Sequence, residues 1–426
     1  MKILLIPLNN ISHYKVVKEI IFQLTEEGHT VTCAVDNEFK DAYLFGNNIN
    51  VDFIYYDSTN IDKKIRNLSK HYKKKLEELG FKVISKTTKE TISEYMLYQS
   101  EYYIKSFMFY KEDLLVKAKD FSPDIIIRDT CAFWGKMIGE ELGIEVIGYI
   151  TNLLCNDEVI KLNPMRTLSD ATKFDMSFLS DRECVDFYYE LEKSISGLSY
   201  KLNSPKLPVF FPLESKEKYN LIFTNKLLHP KIKDTNDNKF IFIKPDIFIK
   251  NTRKNFDDKK NIIYVSTGSM ISAPPKFYNE IIKVFKNTEY EVIISSKLVD
   301  IPNVKIKLPD NIKMYSYVNQ EEILENACLF ITHGGYKSIC ESIYYEVPMI
   351  VFPMSSDQFY NATVVEKLNI GLRMDNKDLA FNTIKEAAIE VLNNPNFCEN
   401  IKTIKSEFYK EINFIDAFRY ILNEKR

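Results

Sequence analysis

The chain has 426 residues, which is more than one hydrophobic core usually supports, so we expect two domains. Its formal net charge of −2 gives no reason to expect nucleic-acid binding, and no apolar run approaches the length of a membrane span. The seven cysteines are scattered without a C-x-x-C pair, which favours reduced thiols, a cytoplasmic protein and no metal site.

The N-terminal half begins with alternating strand and helix patterns. An apolar run predicts a buried strand at 2–7, and a polar loop at 9–14 precedes an amphipathic helix at 16–27. Residues 31–35 predict a second strand, and this order indicates a parallel, doubly wound sheet. His13 therefore lies just past the first strand, at the edge where open α/β sheets bind ligands.

Long helices are predicted next, over residues 60–119, which are rich in lysine and tyrosine. We interpret the lysine run at 73–75 as part of a solvated helix face, because exposed lysines usually have no other role. A buried strand at 123–128 follows, and Asp129 comes directly after it. From its residue type alone, Asp129 suits the N-cap of the next helix.

The second half repeats the strand and helix cycle. Short strands at 221–224 and 240–243 end the first half, and the polar stretch 251–260 is the best linker candidate. A strand at 261–266 restarts the cycle and leads into a glycine loop at 267–269. The two halves are therefore predicted to be similar α/β units.

The stretch 328–361 carries the densest chemical pattern. It opens with an apolar run that predicts a strand, followed by the turn His333-Gly334-Gly335 and a helix over 337–345. Glycines let backbone approach a ligand closely, and the first N–H groups of a helix have no internal partner. This arrangement predicts an anion site suited to a pyrophosphate. A second strand and a polar loop that holds Asp357 and Gln358 follow.

The spacing of this pattern resembles the nucleotide-sugar signature of UDP-glycosyltransferases, nearest to the bacterial macrolide-type branch. The residues that carry the resemblance are His333, Gly335, Ser338, Glu341, Pro348, Pro353, Asp357, Gln358 and Asn361. One position departs from it, since Lys337 stands where the family usually has asparagine, and lysine meets phosphate as a point charge.

The resemblance implies a GT-B fold, which is an α/β architecture of two doubly wound Rossmann-like domains facing a central cleft. We expect residues 1–245 to form an N-terminal acceptor-binding domain and 246–405 a C-terminal nucleotide-sugar-binding domain. An amphipathic pattern predicts one helix over 401–422, and the family's terminal helix implies that 406–426 cross back to the N-terminal domain.

The resemblance also implies how the second half binds a donor. Tyr317 replaces the family's tryptophan and would stack on the nucleobase, although alone it would be assigned to ordinary packing. Glu341 would accept hydrogen bonds from the ribose hydroxyls, and its alternative role is to stabilise the helix dipole. Asp357 and Gln358 would contact sugar hydroxyls. The implied donor-binding residues are Ser269, Tyr317, Val318, Gln320, His333, Gly335, Ser338, Glu341, Asp357 and Gln358.

The catalytic residues implied by the resemblance are His13, as general base, and Asp129, as its partner. Without the resemblance, His13 would be interpreted as a loop histidine that caps the next helix. Asp129 could act both as the N-cap of the next helix and as the partner of His13. No Asp-x-Asp metal motif is evident nearby, so neither a metal nor a cofactor is expected besides the nucleotide sugar as cosubstrate.

We therefore expect an inverting, metal-independent hexosyltransferase. It would move a hexose from a nucleotide-diphosphate sugar, a UDP-sugar in the first instance, to a hydroxyl of a small molecule such as a macrolide, polyketide or phenolic compound. The alternatives are a glycolipid-forming glycosyltransferase, a nucleotide-sugar epimerase of the same fold, and a sugar-nucleotide-binding protein with impaired catalysis. The sequence is compatible with a monomer or a homodimer.

Overall fold

The computed structural model describes residues 1–9, 11–39, 51–229, 239–244, 261–268, 273–296, 308–355, 357–375, 378–408 and 410–424. The predicted linker at 251–260 and the predicted donor residue Ser269 lie outside these ranges. The chain divides into two compact units. The first unit comprises residues 1–223, 229–243 and 412–426, and the second comprises 224–228 and 244–411.

A parallel sheet forms the centre of the first unit. Its described strands are β1 (Lys2–Ile6), β2 (Thr30–Asp36), β3 (Asp52–Tyr56), β4 (Ile125–Asp129), β5 (Val146–Ile150), β6 (Tyr219–Ile222) and β7 (Lys239–Phe242). They lie in the order β3-β2-β1-β4-β5-β6-β7, so the strand order reverses between β1 and β4. Such a reversal opens a crevice at the carboxyl ends of the strands, where ligands bind open α/β sheets.

Helices connect the strands of the first unit, and local sequence signals set several of their ends. The helices are α1 (Ile11–Glu26), α2 (Ser58–Ser85), α3 (Lys89–Phe121), α4 (Phe133–Leu142), α5 (Asp157–Ile160), α6 (Pro164–Thr172) and α7 (Asp181–Lys201). Asp57 caps α2 by accepting a hydrogen bond from the Asn60 N–H, and Ser180 with Glu183 forms a capping box at α7. Gly143 ends α4 in the left-handed conformation that glycine adopts readily.

The second unit repeats this plan. Its described strands are β8 (Ile262–Ser266), β9 (Glu291–Ser295), β10 (Ile312–Tyr315), β11 (Ala327–Thr332), β12 (Met349–Val351) and β13 (Gly371–Arg373). All pairs are parallel, in the order β10-β9-β8-β11-β12-β13, so the reversal lies between β8 and β11. Its helices are α8 (Pro275–Phe285), α9 (Gln320–Leu324), α10 (Tyr336–Tyr344), α11 (Gln358–Lys367), α12 (Phe381–Asn393) and α13 (Asn396–Phe408).

Two predicted loops are partly helical. The polar loop predicted at 9–14 is wrong from Ile11 onward, because α1 begins there and places His13 in its first turn. Tyr14 explains the earlier start, since its ring is fully buried and its hydroxyl accepts a hydrogen bond from the Asp36 N–H. Gln358 likewise opens α11 instead of lying in a loop.

The single helix predicted over 401–422 is also wrong. The helix α13 ends at Phe408, and a new helix, α14 (Phe414–Asn423), begins after Asn413. The Asn413 side chain accepts a hydrogen bond from the Asp416 N–H, which caps the new helix. The break coincides with the unit boundary, because α13 belongs to the second unit and α14 to the first.

Candidate functional site

Several of the residues predicted to be functional lie at the carboxyl ends of central strands in both units. In the first unit, His13 follows β1 and Asp129 ends β4. In the second unit, Gly268 follows β8 and the turn at 333–335 follows β11. In each sheet these are the two strands between which the strand order reverses. The sequence therefore folds so that each unit presents its polar residues at its own ligand-binding edge.

His13 and Asp129 form a direct hydrogen bond in the first unit. The Nδ1 atom of His13 lies 2.5 Å from Oδ2 of Asp129, and the Thr151 hydroxyl lies 3.5 Å from the same Nδ1. The Asp129 side chain is fully buried, whereas the His13 side chain is 15% exposed. The pair thus combines a shielded carboxylate with an imidazole that solvent can reach. The structure brings together two predicted residues that lie 116 positions apart.

Asp129 is held as an anion. Burial alone would raise its pKa, but the charge and hydrogen bond of His13, together with the Cys131 N–H, lower the pKa instead. That N–H donates to Oδ1 of Asp129 at 2.8 Å. The N-cap of α4 is Ala132, which makes no side-chain capping bond. The alternative in which Asp129 caps this helix is therefore wrong.

A buried ion cluster supports the backbone around Asp129, and sequence reasoning missed it. Arg128 is 2% exposed, and its Nη1 donates to the carbonyl oxygens of Asp129 and Thr130 at 2.9 and 3.0 Å. Glu217 accepts two hydrogen bonds from Arg128 and one from Lys136. The only sequence signal was a charged residue inside the apolar strand IIIRD. Such a group requires a buried partner.

In the second unit, His333 is packed between two glycine positions. A Cβ atom on Gly268 would lie 2.7 Å from the His333 ring, and one on Gly335 would lie 2.7 Å from Nε2. Only glycine fits so close to the ring, and Gly268 also has a φ of +78°. Burial lowers the pKa of His333 to about 4. The hydrogen bond of the ring with the Ser266 backbone raises the pKa, but by less than burial lowers it. The ring is therefore neutral at pH 7.

The start of α10 presents backbone N–H groups beside this ring. Gly335 is the N-cap residue and supplies no side chain to cap the helix. Ser338 lies in the first turn, and its hydroxyl accepts a hydrogen bond from Nε2 of Gln320 at 3.2 Å. The helix start therefore offers unsatisfied N–H donors and a hydroxyl, which suit an anionic ligand.

Glu341 lies within a polar cluster on the same helix. Nζ of Lys337 is 3.2 Å from Oε1 of Glu341, and Gln320 donates to Oε2. The oxygen of Gln320 in turn accepts from the Tyr264 hydroxyl at 3.3 Å. Burial raises the pKa of Glu341, although Lys337 and Gln320 counteract it. Three predicted residues, Gln320, Ser338 and Glu341, are thus brought together.

Tyr317 and Val318 precede this cluster. The Tyr317 side chain is 82% exposed, and Val318 is half-buried. An aromatic ring with this exposure is free of core packing, so ordinary packing does not explain why an aromatic residue stands at position 317. Tyr317 is available as a stacking surface, as its role at the nucleobase would require.

Asp357 and Gln358 lie where α11 begins. The Gln358 oxygen accepts hydrogen bonds from the Met354 and Ser355 N–H groups at 2.9 and 3.0 Å. The amide nitrogen of Gln358 is then the group left to meet a ligand. Asn361 donates to Oδ2 of Asp357 and to the Gly334 carbonyl, both at 2.9 Å, which ties this helix to the turn after β11.

In the part of the chain that the structure describes, no three or more histidine, cysteine, aspartate or glutamate side chains are arranged to hold a metal ion. No helix among the same residues combines the length and apolarity needed to cross a membrane.

Comparison with known proteins agrees with the sequence resemblance. Residues 249–411 match the family described as UDP-glucoronosyl and UDP-glucosyl transferase. The chain is 27% identical to NDP-glycosyltransferase YjiC of Bacillus subtilis (strain 168) over 402 residues, which covers 93% of this chain and 90% of that protein. Oleandomycin glycosyltransferase of Streptomyces antibioticus is 28% identical over 153 residues, or 36% of each chain.

Solved structures show the same architecture. The glycotransferase of kitacinnamycin has a TM-score of 0.69 at 19% identity, and covers 99% of this chain and 98% of its own. CalG4, the calicheamicin glycosyltransferase, has a TM-score of 0.67 at 17% identity, with 99% and 97% covered. The predicted GT-B fold is confirmed. These matches support the resemblance to UDP-glycosyltransferases of the bacterial macrolide-type branch, and the prediction of a sugar-transferring enzyme is confirmed.

Proposed function

We propose that this glycosyltransferase is inverting and metal-independent, and that it moves a hexose from a UDP-sugar to a hydroxyl of a small natural product. The observation that carries the proposal is the 2.5 Å hydrogen bond between Nδ1 of His13 and Oδ2 of Asp129. A partly exposed imidazole oriented by a buried carboxylate is the arrangement that general-base catalysis on a hydroxyl requires.

The tautomer of His13 follows from this contact. With Asp129 ionised, Nδ1 carries the proton that is donated to Oδ2, and Nε2 carries the lone pair. Nε2 takes the proton of the acceptor hydroxyl while the acceptor oxygen bonds to the anomeric carbon of the sugar. The bond from that carbon to the diphosphate oxygen breaks, and its electron pair leaves with the nucleoside diphosphate. Attack opposite the leaving group inverts the anomeric carbon.

The second unit stabilises the leaving group in this proposal. The negative charge that develops on the diphosphate meets the N–H groups at the start of α10, which begins after Gly335. Ser338 adds a hydroxyl donor. His333 remains assigned to the same anion by resemblance, while the one N–H of its neutral ring already serves the hydrogen bond with the Ser266 backbone. Lys337 can add a point charge from the same turn, in the position where the family usually has asparagine.

Glu341 and Gln320 are assigned to the ribose. A diol can donate to the Glu341 carboxylate and accept from the Gln320 amide, which already contact each other. The partly exposed Lys337 would then release Oε1 of Glu341 to the ligand. Tyr317 and Val318 are assigned to the nucleobase, and Asp357 with the amide nitrogen of Gln358 to the sugar. Ser269 remains assigned to the phosphates by resemblance alone.

The acceptor class is supported by the names of relatives. Oleandomycin glycosyltransferase and the calicheamicin glycosyltransferase are named after natural products. We therefore assign the acceptor hydroxyl to a macrolide, polyketide or phenolic compound.

The proposal is tested by transfer from UDP- and TDP-hexoses to a panel of such acceptors, with products identified by mass spectrometry. His13→Ala should lower turnover by at least about 10²-fold with donor affinity unchanged. His71→Ala is the matched control, because His71 is exposed on α2. Near-normal turnover of His13→Ala would refute the base assignment. Conversion of the donor to another nucleotide sugar without any acceptor would favour an epimerase instead.

A further inference from the structure

The helix α2 carries a concentrated positive charge that the catalytic proposal does not use. Residues 63–75 contain seven lysine and arginine side chains and no carboxylate, although the whole chain has a net charge of −2. From the sequence, the lysine run at 73–75 was interpreted as part of a solvated helix face. The structure shows how its charges are arranged on the helix.

Five of these cations lie along one side of α2. A period of 3.6 residues places them opposite the buried face of the helix, which includes Ile61, Tyr72, Leu79 and Val83. All five side chains are exposed. We call this set the basic stripe, and its members are Lys63, Arg66, Lys70, Lys73 and Lys74.

The basic stripe is poorly neutralised by the protein. Within the described ranges, only Lys73 has a carboxylate within 4.0 Å, which is the well-exposed Glu77 at that limit. Lys82, on another side of the same helix, instead pairs with Glu94 at 2.5 Å. The stripe therefore repels itself unless an external anion accompanies it.

Two large apolar side chains continue the same side of the helix. Phe81 and Ile84 are 73% and 75% exposed, and the helical period aligns them with the basic stripe. From Lys63 to Ile84 the line is about 32 Å long, at 1.5 Å per residue. Five cations and, beyond the exposed Glu77, two exposed apolar groups in one line form an amphipathic surface suited to the interface of a membrane.

We propose that the side of α2 formed by the basic stripe, Phe81 and Ile84 docks on an anionic lipid bilayer. The lysines and Arg66 would contact lipid phosphates, and the two apolar side chains would enter the boundary between headgroups and acyl chains. A nucleic acid or an acidic protein would match the charge of the basic stripe equally well. The bilayer is favoured over these two ligands because it also supplies an apolar phase for Phe81 and Ile84. The docking is peripheral and independent of the proposed sugar transfer.

The experiment measures binding of the full chain to vesicles of pure phosphatidylcholine and of phosphatidylcholine with phosphatidylglycerol. We expect binding to the anionic vesicles alone, weakened by high salt. Each cation near an anionic leaflet strengthens binding by roughly fivefold, so K70A/K73A/K74A should lose at least about tenfold. F81S/I84S should also bind several-fold more weakly.

Matched variants separate this surface from general charge and hydrophobicity. K201A/K276A/K286A removes three exposed lysines elsewhere, and V116S/I389S removes two exposed apolar side chains elsewhere. Both should bind like the wild type, and all four variants should keep the wild-type melting temperature. Absence of vesicle binding, or equal losses in the matched variants, would overturn the proposal. So would equally tight binding to heparin that F81S/I84S leaves unchanged, since that result identifies a soluble polyanion as the ligand.

Discussion

Acidification should weaken the second unit through His333. Burial lowers the pKa of this ring from 6.5 to about 4. Between pH 6.5 and about pH 4 the unfolded chain therefore binds a proton at this histidine that the folded chain excludes. The stability that the neutral ring provides is complete above pH 6.5 and is lost as the pH falls toward 4. When the pH falls from about 7.5 to about 5, the free energy of unfolding decreases by about 2 kcal/mol, which lowers the unfolding temperature by about 4–8 °C.

The assay compares wild type with His333→Gln by calorimetry across this pH range. Glutamine keeps hydrogen-bonding capacity but does not titrate. On acidification, the free energy of unfolding of the variant should therefore fall by about 2 kcal/mol less than that of the wild type. Trp134 is the only tryptophan and lies in the first unit, so its fluorescence follows that unit as an internal control. Parallel losses in wild type and variant would refute the reasoning, because they would show that burial does not hold His333 neutral.

Further predictions concern the site. Transfer should survive excess EDTA, because helix N–H groups meet the phosphate charge; loss that Mg²⁺ or Mn²⁺ restores would contradict this. In calorimetric titrations, Glu341→Ala should weaken binding of the nucleoside diphosphate by about tenfold, since it removes a charged hydrogen-bond acceptor. Asp357→Ala should weaken the intact nucleotide sugar far more than the bare diphosphate, and equal losses would refute the sugar contact. Arg128→Lys should lower turnover by about tenfold with donor KM unchanged, because it loosens the backbone at Asp129; a matching rise in KM would argue against that role.

The sheet architecture was readable from the sequence because both sheets are parallel and buried. Strands of this kind appear as short apolar runs, and the strands predicted at 2–7 and 31–35 lie within one residue of β1 and β2 at each end. The strand β3 was missed. Its apolar run is only the four residues FIYY, and the strand opens with a charge and is only half-buried over most of its length.

Helix ends were harder to predict, because contacts that are distant in sequence decide them. The start of α1 depends on the burial of Tyr14 and its contact with Asp36, 22 residues away. The break before α14 had a local signal in Asn413, an N-cap residue, but the apolar period continues across it. Periodicity alone therefore merged two helices that belong to different units.

The pKa shifts of Asp129 and Glu341 show why spacing alone was insufficient for the site. Asp129 and Glu341 are both buried carboxyls, yet the pKa of Asp129 is lowered and that of Glu341 is raised. Burial raises the pKa of each, so the difference comes from the partners: His13 and a backbone N–H outweigh burial at Asp129, whereas Lys337 and Gln320 do not at Glu341. His13 lies 116 residues from Asp129, and no local pattern could show that contact. Burial therefore makes the pKa of both carboxyls sensitive to their surroundings, and the partners decide whether that pKa is lowered or raised.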